Sequence, residues 1–292
     1  MTLSTLILNH DAHWAIWEPA GRVLWRALEG VSLSSHLAAR SPDRPAEPRG
    51  YELRDGVALL SLTGPMTKAP TSLEIGTSTV HLRRQIRAAL SDPAVHSILL
   101  RVDSPGGAVS GVNDLAEDLA MATRRKPIVA YIEDCCCSAA YWAASQAGSV
   151  YANPTSIVGS VGAYLVLEDC SRMYENAGVE VHVLRTGPFK GAAVPGTAIS
   201  AAQLAGFQKT LDSLSAFFVS AVSRGRGLSL EQVEALADGS VFVGAEAVDR
   251  GLVDGIASFD EVFRRVSAPA KRVSADRALA DAVFEGAACA AP

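Results

Sequence analysis

The chain has 292 residues, 49% of them apolar and 20% charged, with a formal net charge of −5. That length supports a substantial core in one large α/β domain or one domain with extensions, and an acidic balance lacks the basic face that nucleic-acid binding requires. Five cysteines, three of them consecutive at 135–137, do not form a disulfide framework, because neighbours in a strand point to opposite faces. Reduced thiols used as small hydrophobes fit a cytoplasmic setting.

The six histidines are scattered, and none has metal-ligand spacing with a Cys or carboxylate partner. His10 and His13, in HDAH, are better explained by a loose terminus than by a metal, so neither metal nor cofactor is expected. No Lys/Arg-led apolar leader opens the chain, and no apolar run approaches the roughly 18 residues of a membrane span. Neither secretion by that route nor a membrane anchor is expected.

Residues 1–50 form an arm. EPAGRVLWRALEG (18–30) spaces Val23, Leu24, Ala27 and Leu28 as a short amphipathic helix, and 32–50 loses periodicity as a linker would. Trp14, Trp17 and Trp25 suit either a subunit contact or packing on the main domain. From Tyr51 the pattern changes: strand (56–66), helix (78–93), strand (95–103), helix (107–126), strand (127–134), helix (138–148) and a short strand (149–154). This alternation predicts right-handed βαβ crossovers on a largely parallel sheet covered on both faces.

The second half continues with a helix (168–179), a strand in EVHVLRTG (180–187), a long helix (200–227), a helix (229–239) and two short helices (244–266). Ser200 with Gln203, and Ser229 with Gln232, have capping-box spacing. The predicted partition is an N-terminal arm (1–50), one domain (51–266) and a C-terminal helix or flexible tail (267–292).

Chemistry concentrates between Ile98 and Lys190. DSPGGAVSG runs from a strand into a helix, and Gly106 and Gly107 let a ligand approach bare backbone amides. An ordinary turn would look the same, and the phosphate-loop spacings GxxxxGK and GxGxxG are missing. Ser138 opens a small-residue helix, where amide hydrogens favour a developing oxyanion, although serine is also a common N-cap. No histidine is placed to activate it and GxSxG is absent, which disfavours a Ser-His-Asp arrangement.

Lys190, in TGPFKGAAVP, has small or apolar neighbours that would desolvate its amine and suit it to accept a proton, whereas an exposed turn lysine is the plain alternative. Ser160, in IVGSVGAY, either orients that amine or is an ordinary turn residue.

The ordered set DSPGG, Ser138-Ala139-Ala140-Tyr141, GSVG and Lys190 resembles the signal peptide peptidase A family of serine peptidases, across residues 51–266. In the short bacterial members the lysine follows the nucleophile by 52 residues and the accessory serine by 22, as 190 minus 138 and 160 minus 138 do here. The resemblance implies a Clp protease/crotonase-like α/β fold of repeated β-β-α units, with a largely parallel sheet flanked by helices. It also implies a Ser138–Lys190 dyad with Ser160 orienting the lysine, and an oxyanion hole of Gly107 or Gly106 with Ala139.

An extended substrate would add as a strand beside Ala108, Val109 and Ser110. The arm, the missing anchor and GVALLSLTGPM are similar to the phage branch of minor capsid proteins that act as prohead proteases. That branch implies scaffold, portal or capsid proteins as substrates, a ring-forming homo-oligomer whose neighbouring subunits complete the cleft, and a place in the cytoplasm or inside the procapsid.

The pair Ala139-Ala140 departs from the family's usual glycine there, which leaves the amide of Ala139 in place. Four rivals remain at this stage: a bacterial signal-peptide-peptidase-like protease degrading membrane-derived or other peptides, a cysteine nucleophile among Cys135–Cys137, a crotonase-like acyl-CoA enzyme using Glu133 or Asp134, and a non-catalytic scaffolding protein.

Overall fold

A computed structural model describes residues 14–16, 50–69 and 76–268. The expected arm helix, most of the linker, HDAH and nearly all of the tail lie outside these residues. In chain order the elements are β1 (Trp14–Ile16), β2 (Glu52–Arg54), β3 (Val57–Thr63), β4 (Met66–Thr67), β5 (Thr77–Ser78), α1 (Thr79–Ser91), β6 (Ser97–Ser104) and β7 (Gly106–Ala108). There follow α2 (Val112–Thr123), β8 (Ile128–Cys137), α3 (Ala139–Ala144), β9 (Ser149–Ala152), β10 (Ile157–Gly159), α4 (Ser171–Asn176) and α5 (Ala201–Arg226). The last are α6 (Leu230–Glu234), β11 (Val241–Val243), α7 (Ala245–Asp249), β12 (Gly255–Ile256) and α8 (Phe259–Ser267).

The main sheet has the order β11-β10-β8-β6-β3-β2, with β9 also on β8 and β12 on β9. Its centre is parallel, β3 with β6 and β6 with β8, and its margins β2/β3 and β10/β11 are antiparallel. The fold is therefore α/β with a mixed sheet, parallel where the apolar runs are longest. Those runs are unbroken because both faces are covered. In β3, Ala58, Leu60 and Leu62 share a core with Leu82 and Ile86 of α1, Leu115 and Leu119 of α2, and all of α3. Val57 and Leu59 turn the other way onto Val262 and Phe263 of α8.

Local signals set the helix ends. In α1 the Ser78 hydroxyl accepts from His81 N–H, and Asp92, preceding Pro93, leaves the helix for extended backbone. Both predicted capping boxes form, at Ser200 with Gln203 and at Ser229 with Gln232. Two expectations change. The helix after DSPGG begins at Val112 rather than Gly107, because Gly106–Ala108 is drawn into a second, four-stranded sheet of order β1-β7-β4-β5. EVHVLRTG forms no strand, for it meets no partner edge within the described residues and is largely exposed.

A polar clamp ties the far end of α5 to the sheet. Arg226, its side chain 6% exposed, reaches both Asp254 carboxylate oxygens at 2.7 and 3.0 Å, and Val150 N–H donates to the same carboxylate at 2.6 Å. Burial works to raise the Asp254 carboxyl, but the bonds from Arg226 and Val150 outweigh it and hold it below the usual range. Next to this clamp the Tyr141 hydroxyl donates to Leu252 O at 2.8 Å, anchoring α3.

A depressed carboxyl contributes stability that is present above the unfolded value of about 3.9 and is lost as pH falls through the folded value. Arg226→Met should therefore cost about 1–3 kcal/mol at pH 7, reduced toward the lower figure because Asp254 is partly solvated. The gap to wild type should close as Asp254 protonates, and urea unfolding at pH 7 and at pH 3 checks both parts.

Candidate active site

Ser138 leaves the end of β8 with φ 55° and ψ −123°, a conformation that L-residues avoid. Its surroundings hold it there. Ser138 N–H donates to Gly159 O at 2.8 Å, its carbonyl accepts from Trp142 N–H at 2.9 Å, and every residue of α3 is buried. An N-cap serine would have extended backbone and turn its hydroxyl onto the helix. Ser138 does neither, and its Oγ donates instead to Gly162 O at 3.3 Å. The capping reading is thereby excluded.

Ser160 also has positive φ, 50°, with its N–H on Ser240 O at 2.7 Å. Ser138 and Ser160 line one cleft of about 440 Å³, together with Ile16, Gly162, Tyr164 and residues Ala237–Gly239. Both serines are nearly covered, at 1% and 8% exposure.

The two glycines are held by close backbone contacts. A methyl at Gly107 would lie 2.0 Å from Met66 O, and one at Gly106 (φ 94°) would lie 2.8 Å from Cys137 O and 2.9 Å from Ala139 N. β7, β4 and the start of α3 thus meet at Gly106–Gly107. Gly106 N–H donates to Ser104 Oγ at 3.2 Å, so its amide is already engaged. Of the predicted substrate-strand residues, Ala108 is paired with Trp14, while Val109 and Ser110 border a second, apolar cleft of about 340 Å³ with Trp142, Leu214 and Phe217.

Lys190 stands apart. It is exposed, its N–H donates to Gly187 O at 3.1 Å, and among the described residues its amine makes no hydrogen bond or ion pair. It is not among the residues lining the serine cleft. Among the described residues nothing supplies the expected cover, and no residue between Gly162 and Ala202 is buried.

The rival nucleophiles fare poorly. Burial pushes the Cys136 thiol far up, and neighbouring Cys135 together with burial does the same to Cys137, whose Sγ faces Ile157 O. Such thiols stay protonated and inert. Glu133 is taken up by Arg101 at 2.6 Å and does not line the cleft. No group of three or more His, Cys, Asp or Glu side chains suited to a metal occurs among the described residues.

Sequence reasoning missed Ile16, Tyr164 and Asp238 as cleft residues. For Tyr164 the neighbouring GSVG turn was a usable signal; a three-residue strand such as β1 has too little pattern to offer one.

The cleft that holds Ser138 and Ser160 opens at the end of β8, and comparison with known proteins gives the chain a family. The profile of Peptidase family S49 matches residues 120–274, and the chain belongs to this family of serine endopeptidases of signal-peptide-peptidase type. It is 31% identical over 239 residues to Capsid assembly protease C of Escherichia phage lambda, covering 78% of this chain and 54% of that protein.

It is 30% identical over 188 residues to Protease 4 of Salmonella typhi, covering 64% and 30%. With Head-tail preconnector protein GP5 of Enterobacteria phage P21 it shares 29% identity over 216 residues, covering 72% and 42%. The chain thus spans about half or less of the length of these relatives. A looser likeness, 13% identical with a TM-score of 0.44, links 68% of this chain to 85% of the ClpP protease catalytic domain of Plasmodium falciparum. Among the described residues no helix is long and apolar enough to cross a membrane.

Proposed function

We propose that the chain is an endopeptidase whose nucleophile is Ser138 and whose general base is Lys190 supplied by a second copy of the chain. The observation that carries this reading is Ser138 itself: a strained backbone at the floor of a cleft, with a hydroxyl that caps no helix and lies beside Ser160. Strain of that kind persists only where the surroundings impose it, and it gathers at reacting groups.

The second copy is argued from exposure. Leu184 is 98% exposed and Phe189, next to Lys190 in the chain, 57%, and Val166 and Phe217 are 66% and 61% exposed; large apolar side chains left open in this way call for a partner surface. A homo-oligomer would cover these side chains and carry the amine to a neighbouring cleft.

In the proposed reaction the unprotonated Lys190 amine takes the proton of Ser138 Oγ as that oxygen attacks the scissile carbonyl. The N–H groups of Gly107 and Ala139 hold the oxyanion, and Ser160 orients the amine. Lys190 then gives the proton to the leaving amine, and an acyl-enzyme ester remains. A water that yields its proton to Lys190 attacks the ester, the acyl–Oγ bond breaks, and Lys190 returns the proton to Ser138 Oγ as the acid product leaves.

Wild type should digest unfolded polypeptides, and Ser138→Ala should lower kcat by at least about 10⁴-fold, the scale seen when a serine hydrolase loses its nucleophile. Equal activity in the two proteins would refute the mechanism.

For the biological role, relatives such as the Protease 4 proteins favour a signal-peptide-peptidase-like protease acting on peptides. A second reading, maturation of phage heads by cleavage of scaffold or capsid-associated proteins, draws support from two phage relatives that cover 78% and 72% of the chain. Digestion of candidate procapsid proteins beside membrane-derived peptides separates the two roles.

A further inference from the structure

We propose that β1 is a built-in substrate mimic: Trp14–Ile16 occupies the strand position beside β7 that an incoming polypeptide would take, and keeps the cleft closed until it is displaced. The inference rests on the reading of Ser138 as nucleophile.

β7 has two edges. β4 holds one, with Met66 opposite Gly107, and β1 holds the other, with Trp14 opposite Ala108, Ala15 opposite Gly107 and Ile16 opposite Gly106. No further strand can add to β7 while β1 remains, because a strand already lies along each of its edges.

The segment also runs toward the chemistry. A methyl at Gly106 would lie 2.2 Å from Ala15 O and 2.9 Å from Ala139 N, so the Ala15 carbonyl and a proposed oxyanion amide both crowd the Gly106 backbone. The next residue, Ile16, is 3% exposed, packs with Ala108 and Tyr164, and lines the cleft that holds Ser138 and Ser160. A strand paired along β7, with its carbonyl packed on Gly106 and its next side chain in the cleft, has the arrangement expected of a bound peptide. With only three residue pairs, each worth roughly 0.2–1 kcal/mol, the ladder is weak enough for a longer peptide to displace.

The test uses the full-length chain carrying Ser138→Ala, so that nothing is cut, and a fluorescein-labelled peptide of residues 9–20 added in trans. Adding Ile16→Asp or Ala15→Pro should free the groove and tighten peptide binding about tenfold or more, since apparent affinity scales with the fraction of open sites. Equal or weaker binding in folded variants overturns the proposal. In the otherwise unaltered Ser138→Ala chain, saturating unlabelled peptide should speed amide exchange at residues 14–16 while Gly106–Ala108 stay protected; unchanged exchange at 14–16 also overturns it.

The two readings fail differently. Tighter binding in the variants, with no hydrolysis when Ile16→Asp or Ala15→Pro is made in a chain that keeps Ser138, would keep β1 as the occupant of the groove and remove the peptidase mechanism. Hydrolysis by wild type with no binding difference would do the reverse.

Discussion

Chains carrying Ser138→Ala and chains carrying Lys190→Ala, each inactive alone, should regain activity when mixed, up to about a quarter of the wild-type rate for random head-to-tail assembly. Half of the clefts then contain Ser138, and half of those face a neighbour that supplies Lys190. The expectation follows from the separation of the two groups within one chain, with the serine buried in its cleft and the lysine exposed in a turn where nothing from Gly162 to Ala202 is covered. A dyad formed within one chain would give no recovery, because no single chain in the mixture holds both groups. Dissociating and reassembling the two variants together, then assaying peptide hydrolysis, makes the distinction.

Gly107→Ala should be among the most damaging single changes. Its methyl would sit 2.0 Å from Met66 O and 2.4 Å from Met66 N, against backbone that cannot turn aside as a side chain would. Either β4 or β7 must shift, and a displaced β7 moves the Gly107 amide away from the position proposed to hold the oxyanion. We expect a loss of about 3 kcal/mol or more, a fall in melting temperature of about 6–12 °C, and a drop in kcat beyond what the lost folded fraction explains. Thermal unfolding paired with active-site titration separates the two contributions. A variant with wild-type melting and turnover would show that β4 and β7 tolerate greater separation.

Much of the frame was legible because its signals are local. The runs in β3, β6 and β8 are apolar on both faces, Ser78, Ser200 and Ser229 announce helix starts, and Pro93 ends α1. Ser138 and Ser160, linked in the sequence only through the family resemblance and its 22-residue interval, line one cleft, and their roles there are those proposed above. Three things were hidden for physical reasons. A lysine among small residues reads the same whether it is buried or, as Lys190 is, exposed. EVHVLRTG has the alternation of a strand, but strand formation needs a partner edge that local sequence does not specify. β1 is three residues long, too short for a period, and its pairing with β7 spans some ninety positions of sequence.

The fork in β8 bears on how assembly would act on the site. Val129–Ile132 pair with β9, whereas Cys135–Cys137 pair with β10, which in turn lies on β11. Ser138 N–H is tied to Gly159 O and Ser160 N–H to Ser240 O, so both serines are tied to the one tine of the fork made of the β8 tip, β10 and the approach to β11. Their relative position is fixed by main chain before any neighbour arrives. On the proposed reading a second copy would find both serines already positioned and would have to place only Lys190 and the turn that carries it. On that reading, loosening the tine would detune the serine pair without touching the exposed stretch that carries Lys190, so the branch point would separate assembly from chemistry.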